Sequence, residues 1–243
     1  MSPPVFLTET ERLAADRVLL DGPEGRHAAT VRRLRPGERV DLTDGAGLLA
    51  ECVVVTSDRA SLTLDVRSRH HTPEPEPRLV VVQALPKGDR GELAVETMTE
   101  AGIDEIVPWS ASRCVTQWRP DRREKALNRW RATAREAAKQ SRRTRFPHIA
   151  DLATTPQVAA RIQQATCALI LHESATTRLS TLKPPAQGEI LVIVGPEGGI
   201  TDEELETFST AGATPTLLGP TVLRTSTAGV ATTAILQTLT TRW

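Results

Sequence analysis

The sequence predicts an α/β protein in two domains, residues 1–72 and 73–243, and three observations predict it. The stretch "RHHTPEPEPR" (residues 69–78) alternates three prolines with charge, so neither helix nor strand continues easily through it. Before it the apolar residues fall in short β-rich runs, whereas after it strand, loop and helix patterns alternate. Two glycine-proline elbows, Gly195-Pro196 and Gly219-Pro220, each close an apolar run and precede a helical one, the pattern of strands ending in a mainly parallel sheet.

In the small domain Arg39–Thr43, Leu48–Thr56 and Ser61–Val66 read as strands, parted by the turn signals Asp44-Gly45 and Ser57-Asp58; they suit a β-barrel or meander. "EGRHAATVRRLRPGE" reads as a short helix stopped by Pro36-Gly37. It crowds His27, Arg32, Arg33 and Arg35 into one region, which is either an anion contact or a solvated basic face. In the large domain "RLVVVQAL", "DEIVPW", "ATCALILHE", "EILVIV" and "TPTLL" read as strands. "GELAVETMTEAG", the region from about Asp121 to Ser141, "TDEELETFSTAG" and "TSTAGVATTAILQTL" read as helices. Parallel strands covered on both faces gather ligands beyond their carboxyl ends, where the elbows lie. Small residues from Ala228 to Ala234 let the last helix approach another backbone closely, within the fold or across a dimer.

Thirty basic residues balance thirty acidic ones, so net charge selects no class of partner and only its distribution is informative. Cys52, Cys114 and Cys167 lie far apart without a CxxC pair, which suits reduced thiols better than a disulfide frame or a zinc site, and no metal signature is present. The opening "MSPPVFLTETERLAADR" lacks the basic and apolar regions of a signal sequence. The longest uncharged tract, Thr225 to Thr241, is too short and threonine-rich for a membrane span, so the expectation is a cytoplasmic protein with no membrane partner.

The first elbow, "GPEGGITD", fits neither phosphate-binding loop: it has no lysine and hydroxyl at P-loop spacing, and its glycines miss the G-x-G-x-x-G intervals. Glu197 sits inside it, and Asp202, Glu203 and Glu204 fill the first helical turn, so a phosphate is repelled. Thr201 and Glu204 form a T-x-x-E capping box that uses the amide groups an anion needs. The elbow suits a neutral or cationic ligand, or is a tight turn only.

Between Arg119 and Arg145 eleven basic residues stand against three acidic ones. Trp118, Trp130 and Phe146 offer flat surfaces beside them, although a tryptophan at helical spacing is more often core than base platform. Like charges such as Arg131 and Arg135 repel across one helical turn, so phosphate binding explains the excess better than a solvated face does. Lys139, Arg142, Arg143 and Arg145 are the candidates in this arm, with Arg32 and Arg33 of the small domain as a second anchor.

"VGPEGGITDEEL" followed by "LGPTVLRTSTA" resembles the carboxy-terminal signature of the RsmE family, SPOUT-class methyltransferases that modify N3 of a uridine in small-subunit (16S) ribosomal RNA. The likeness continues through "RHAATVRRLRPGERVDLTDG", "ALPKGDR", "TEAGIDEIVPWSASRC" and "KQSRRTRFPHI". It implies a PUA-like β-barrel followed by a trefoil-knotted SPOUT domain that dimerises and binds S-adenosyl-L-methionine. It implies ribosomal RNA or the 30S subunit as partner. The cofactor then falls to Leu171, His172 and Glu173, to Gly195, Pro196, Glu197, Gly198 and Gly199, and to Leu218, Gly219, Leu223, Thr225 and Ser226. The chain departs from the family pattern at Thr221, where arginine is usual, at Ser226, where an acid is usual, at Thr97 and Ala101, and at Lys139-Gln140-Ser141-Arg142-Arg143 in place of E-Q-S-G-R.

The implied reaction needs uracil to lose its imide proton and attack a sulfonium methyl in line, so alignment and stabilisation of the uracil anion are the protein's main tasks. Arg224, beside the second elbow, is the candidate for the anion, against the alternative of an ion pair that ties the loop down. The base is left open among Glu197, Glu173 and His172. A rival reading is a non-catalytic or altered-specificity RNA-binding protein that keeps the SPOUT fold, favoured by Thr221 and Ser226. A nucleotide-dependent enzyme is disfavoured by the missing lysine.

Overall fold

The computed structural model describes residues 2–243, which divide into two units: residues 2–74 with 138–146, and residues 75–137 with 147–243. In the first, apolar residues at alternate positions build β1 (Val5–Leu7), β2 (Arg17–Leu20), β3 (Arg39–Thr43), β4 (Leu48–Ser57) and β5 (Leu62–His71). They pair in the order β1-β3-β4-β5-β2, with β1 and β3 parallel and the other pairs antiparallel. Phe6, Leu20, Leu42, Ala50, Leu62 and Leu64 form its buried core.

Two sequence expectations need correction here. The strand expected to stop at Val66 runs on to His71, through the start of the stretch read as a breaker. Arg69 supplies the reason: its guanidinium donates to the Leu13 and Ala15 carbonyls at 2.7 and 2.8 Å, tying that extension to the chain before β2. The expected basic helix is α1 (Gly22–Arg26) and a π-helical turn, His27–Val31; it ends before Pro36 because Arg33 takes a left-handed φ of 54°. Residues 138–146 belong with this unit through backbone bonds: Gly47 N donates to the Thr144 carbonyl at 2.9 Å and Phe146 N to that of Gly45 at 2.8 Å.

The second unit holds β6 (Arg78–Ala84), α2 (Arg90–Glu100), β7 (Glu105–Trp109), β8 (His148–Ile149), α4 (Thr155–Ile162), β9 (Cys167–Leu171), β10 (Glu189–Val194), α5 (Asp202–Thr210), β11 (Thr214–Thr216) and α6 (Thr225–Leu239); most of α3 (Pro120–Gln140) lies in it too. Its six strands are all parallel, in the order β11-β9-β10-β6-β7-β8. Residues 79–84 and 190–194 are buried without alternation, as expected for strands covered on both faces. Helices pair as α2 with α6 and α4 with α5. The threonine-rich α6 can be buried because its hydroxyls find partners on the helix itself: Thr232 donates to the Ala228 carbonyl and Thr233 to that of Gly229, at 2.8 and 2.9 Å. Gly229 allows the close approach foreseen for this helix within the fold, since a Cβ there would come 2.5 Å from Met98 Sδ on α2.

At the amino ends of the strands Glu105 is buried between Arg78 and Arg161, with Glu189 completing the cluster. Arg161 grips both Glu105 oxygens, at 2.6 and 2.8 Å. Burial pushes the Glu105 carboxyl up, but the Arg161 hydrogen bonds and charge, with Arg78 and His148, outweigh it and hold the group below the ordinary carboxylate range. A carboxyl depressed in the folded state stabilises fully at neutral pH and loses that contribution as pH falls through its folded value. Glu105→Gln should therefore cost about 3 kcal/mol in urea unfolding at neutral pH, and the gap to wild type should narrow as pH falls below the ordinary carboxylate range.

Candidate cofactor and RNA sites

Four strand ends meet at the opposite edge of the sheet: Ala84, Leu171, Val194 and Thr216 close β6, β9, β10 and β11. The chain leaves β10 through α5 and returns on the far side of β9, so the edge carries a change in winding direction, where open α/β sheets bind ligands. The first elbow follows β10. Gly199 has φ of 75°, and a side chain on Gly195 would meet Ile200 Cγ1 at 2.7 Å. The capping box forms as the sequence indicates, with Glu204 N donating to Thr201 Oγ1 at 3.2 Å and Thr201 N to Glu204 Oε2 at 3.1 Å. Ser112 N and Oγ also donate to Glu204 Oε1, at 2.8 and 2.9 Å. Burial raises the Glu204 carboxyl, but these bonds prevail and keep it below the ordinary range, so this acid is fully engaged in structure.

Glu197 turns toward the loop after β6, accepting from Lys87 N at 3.1 Å and lying 3.7 Å from Arg90. Gly198 passes close to Arg113, whose Nη1 donates to its carbonyl at 3.2 Å. Pro196 is buried.

The second elbow is tied to the loop after β9. His172 N donates to the Thr216 carbonyl at 3.1 Å, Leu217 N to Thr177 at 2.7 Å and Leu179 N to Leu217 at 2.9 Å. Leu171 and His172 are half-buried and Glu173 is exposed; His172 Nδ1 lies 2.8 Å from Ser174 Oγ. Leu218 and Gly219 are half-buried, while Leu223 and Arg224 are exposed. Arg224 is the N-cap residue of α6, its side chain caps nothing, and no carboxylate lies within ion-pair distance of it among the described residues. Thr225 and Ser226 are buried in the first turn of α6. The two elbows are joined directly, since Thr225 Oγ1 donates to the Gly195 carbonyl at 2.7 Å.

In the first unit Arg32, Lys139 and Arg142 line one cleft with His27 and Gln140. The basic turn and the end of the arm, read from sequence as two anchors, thus share a site. Lys139 is buried, its Nζ 2.8 Å from Glu24; Arg142 is exposed and holds a left-handed φ of 59°, as Arg33 does at 54°. Such a backbone costs roughly 1–2 kcal/mol in a residue other than glycine and is retained where the surroundings demand it. Arg145 is occupied by the Thr72 and Pro73 carbonyls at 2.8 and 3.0 Å, and Arg143 is half-buried. Trp130 is buried against Trp118, ring centroids 5.1 Å apart, so it is core.

Sequence reasoning missed Gln83 and the contacts of residues 86–90 and 112–113 with the first elbow. The available signals were a lone amide inside "RLVVVQAL" and the polar "PKGDR" directly after that strand.

Residues 73–237 match the model of an RNA methyltransferase domain, and residues 20–67 match an RNA methyltransferase PUA domain. The ribosomal RNA small subunit methyltransferase E of Mycobacterium tuberculosis is 47% identical over 229 residues, covering 93% of this chain and 87% of its own. The Bacillus subtilis protein of that name is 28% identical, covering 92% and 91%. A structure of the Neisseria gonorrhoeae protein of that name, bound to S-adenosylmethionine, superposes with a TM-score of 0.85 at 26% identity and covers 98% of both chains.

The glycines of the elbows differ in the room around them. A Cβ at Gly198 would meet Arg113 Cβ at 3.0 Å and its carbonyl at 3.2 Å, whereas one at Gly219 meets nothing within 4 Å. Gly198→Val should lose about 1–3 kcal/mol of stability together with S-adenosylmethionine affinity. Gly219→Val should keep the wild-type melting temperature and lose affinity alone, as read by calorimetric titration.

Proposed function

The chain belongs to the family of ribosomal RNA small subunit methyltransferases E, and from that premise we propose that it methylates N3 of a uridine in small-subunit ribosomal RNA, using S-adenosylmethionine. The observation that carries the reading is the junction of the two elbows at the carboxyl edge of the sheet, with Arg224 at the start of α6 beside it. The residues present fit the cofactor. The amide groups at the start of α5 are taken by its capping box, which disfavours phosphate, while Glu197 adds negative charge that suits a sulfonium ligand. Residues 171–173, 195–199 and 218–226 would hold it largely through backbone groups. When bound, it supplies a methyl group already activated for transfer.

The chain's own residues then orient and stabilise. Arg224, exposed and without a carboxylate partner, offers its planar donors to the uracil anion. Glu197 is committed to Lys87 N and lies near Arg90, so Glu173 and His172 are the more accessible proton acceptors on the neighbouring loop. RNA phosphates meet the cleft of Arg32 and Arg142, with Lys139 at its base.

The proposed protein is a cytoplasmic homodimer with a trefoil-knotted second unit, its domains bounded at residues 72 and 73. Pairing of β11 with β9 and the ties of Leu217 to Thr177 and Leu179 support the knot. Exposed Leu93, Val115, Val222 and Leu223 support self-association, and three unpaired cysteines support a reducing compartment. The departures at Thr221 and Ser226 favour a second reading, an RNA-binding protein without transferase activity. Nucleoside analysis of ribosomal RNA from cells with and without the protein distinguishes the two: N3-methyluridine disappears with the enzyme and is unaffected under the second reading.

Arg224→Ala should leave cofactor affinity near wild type and slow single-turnover methylation by about a hundredfold, the effect expected of one anion interaction worth ~3 kcal/mol, with Arg224→Lys intermediate. Arg32→Glu with Arg142→Glu should weaken RNA binding and flatten the log-log salt dependence by about 0.7 for each single-strand phosphate that is no longer neutralised. An unchanged slope would return the cleft to ordinary surface.

A further inference from the structure

Gln83 lies at the penultimate position of β6 and is fully buried within an otherwise apolar strand. Its amide nitrogen uses both protons, donating to the Ala84 carbonyl at 3.1 Å and to Thr225 Oγ1 at 3.1 Å. Thr225 Oγ1 therefore receives one hydrogen bond and passes its own proton to the Gly195 carbonyl at 2.7 Å. The Ala84 carbonyl sets the direction of this chain, because turning the amide over would bring two acceptor oxygens together there. Gln83 Oε1 has no partner, although its setting is fully buried, and a Cβ on Gly229 would lie 3.4 Å from it. Leaving that acceptor unsatisfied is costly, so the side chain is held here against a stability gradient that a leucine or methionine would not face.

We propose that Gln83 is a positioning residue that sets the register between the two elbows, acting through Thr225 on the Gly195 carbonyl. This rests on the reading of the elbows as the cofactor site. The relay fixes the first elbow to the start of α6, and Arg224 is the residue immediately before Thr225. One buried amide thus places the cofactor loop and the guanidinium relative to each other without touching either ligand. An error in that register misaligns methyl donor and acceptor, which lowers turnover as well as cofactor affinity but leaves the phosphate contacts of the RNA alone.

The test is a pair of substitutions at each end of the relay, read by S-adenosylmethionine titration and by steady-state methylation of ribosomal RNA, with melting temperature as the check on folding. Gln83→Glu is nearly isosteric, but its carboxylate withdraws the donor and competes with Gly195 for the threonine proton. It should weaken cofactor affinity about tenfold and lower kcat at least as much, while KM for RNA stays at the wild-type value. Thr225→Val should reproduce that pattern, and Thr225→Ser, which keeps the hydroxyl, should restore both parameters to within about twofold of wild type. Should Gln83→Glu fail to fold, Gln83→Met, which keeps the volume and loses the donor, takes its place, and wild-type affinity and kcat in a folded Gln83 variant overturn the relay. Wild-type affinity and kcat in Thr225→Val, or equal losses in the serine and valine variants, overturn the relay alone. A wild-type protein that does not bind S-adenosylmethionine overturns the functional reading, and the relay's role in it as well.

Discussion

Close approach of α6 to β6 and α2 is the constraint on which the larger unit depends. Only a hydrogen at Gly229 fits beneath Met98, and Ala228, Thr232 and Thr233 keep the buried face of the helix thin. Threonine would ordinarily be a poor choice in a buried helix, because its hydroxyl must find a partner. Here the preceding turn supplies one, so the side chain is compact, β-branched and satisfied at once. The consequence reaches the candidate site. Once α6 is seated against β6, its first turn reaches the end of β10, and Thr225 can bond to Gly195 across residues distant in sequence.

The two ends of the parallel sheet use charge differently. At the amino ends acids and arginines neutralise one another: Glu105 and Glu189 are shared between Arg78 and Arg161, a closed arrangement with little left for a ligand. At the carboxyl edge Glu204 is consumed by a helix cap and by Ser112, Glu197 is drawn to one side, and Arg224 has no carboxylate partner among the described residues. The proposed reaction, with a cationic donor and an acceptor that becomes anionic, would need this separation. Acid must be near one ligand and arginine near the other, without the two cancelling.

Much of this was legible because it is local. Arg39–Thr43, the capping box at Thr201 and Glu204, and the long helix ending near Gln140 follow from turn chemistry, side-chain reach and helical spacing, which operate over a few residues. The two-residue β8 and the short α4 carry too little periodicity to be seen. The convergence of Arg32 and Arg142 on one cleft was illegible for a different reason. It depends on backbone pairing of Gly47 with Thr144 and Gly45 with Phe146, contacts between segments that no local pattern relates. Gln83 was overlooked because an amide in an apolar strand reads as an imperfection until its partners are known.

The departure at Ser226 bears on how a proton would leave in the proposed reaction. Ser226 is buried in the first turn of α6, where the helix carries partial positive charge and no side chain caps it. An acid at that position would be held ionised by the same field, and would offset the attraction that the terminus and Arg224 exert on a developing anion. With serine there, guanidinium and helix terminus act in the same sense, and both are already in place before the anion forms. Stabilising the anion lowers the demand on whatever accepts the proton, so in the proposed reaction a group outside the helix terminus would serve, such as Glu173 or His172 on the neighbouring loop. In the proposed reaction, serine at this position would therefore move the proton to another acceptor and leave Arg224 as the means of holding the anion.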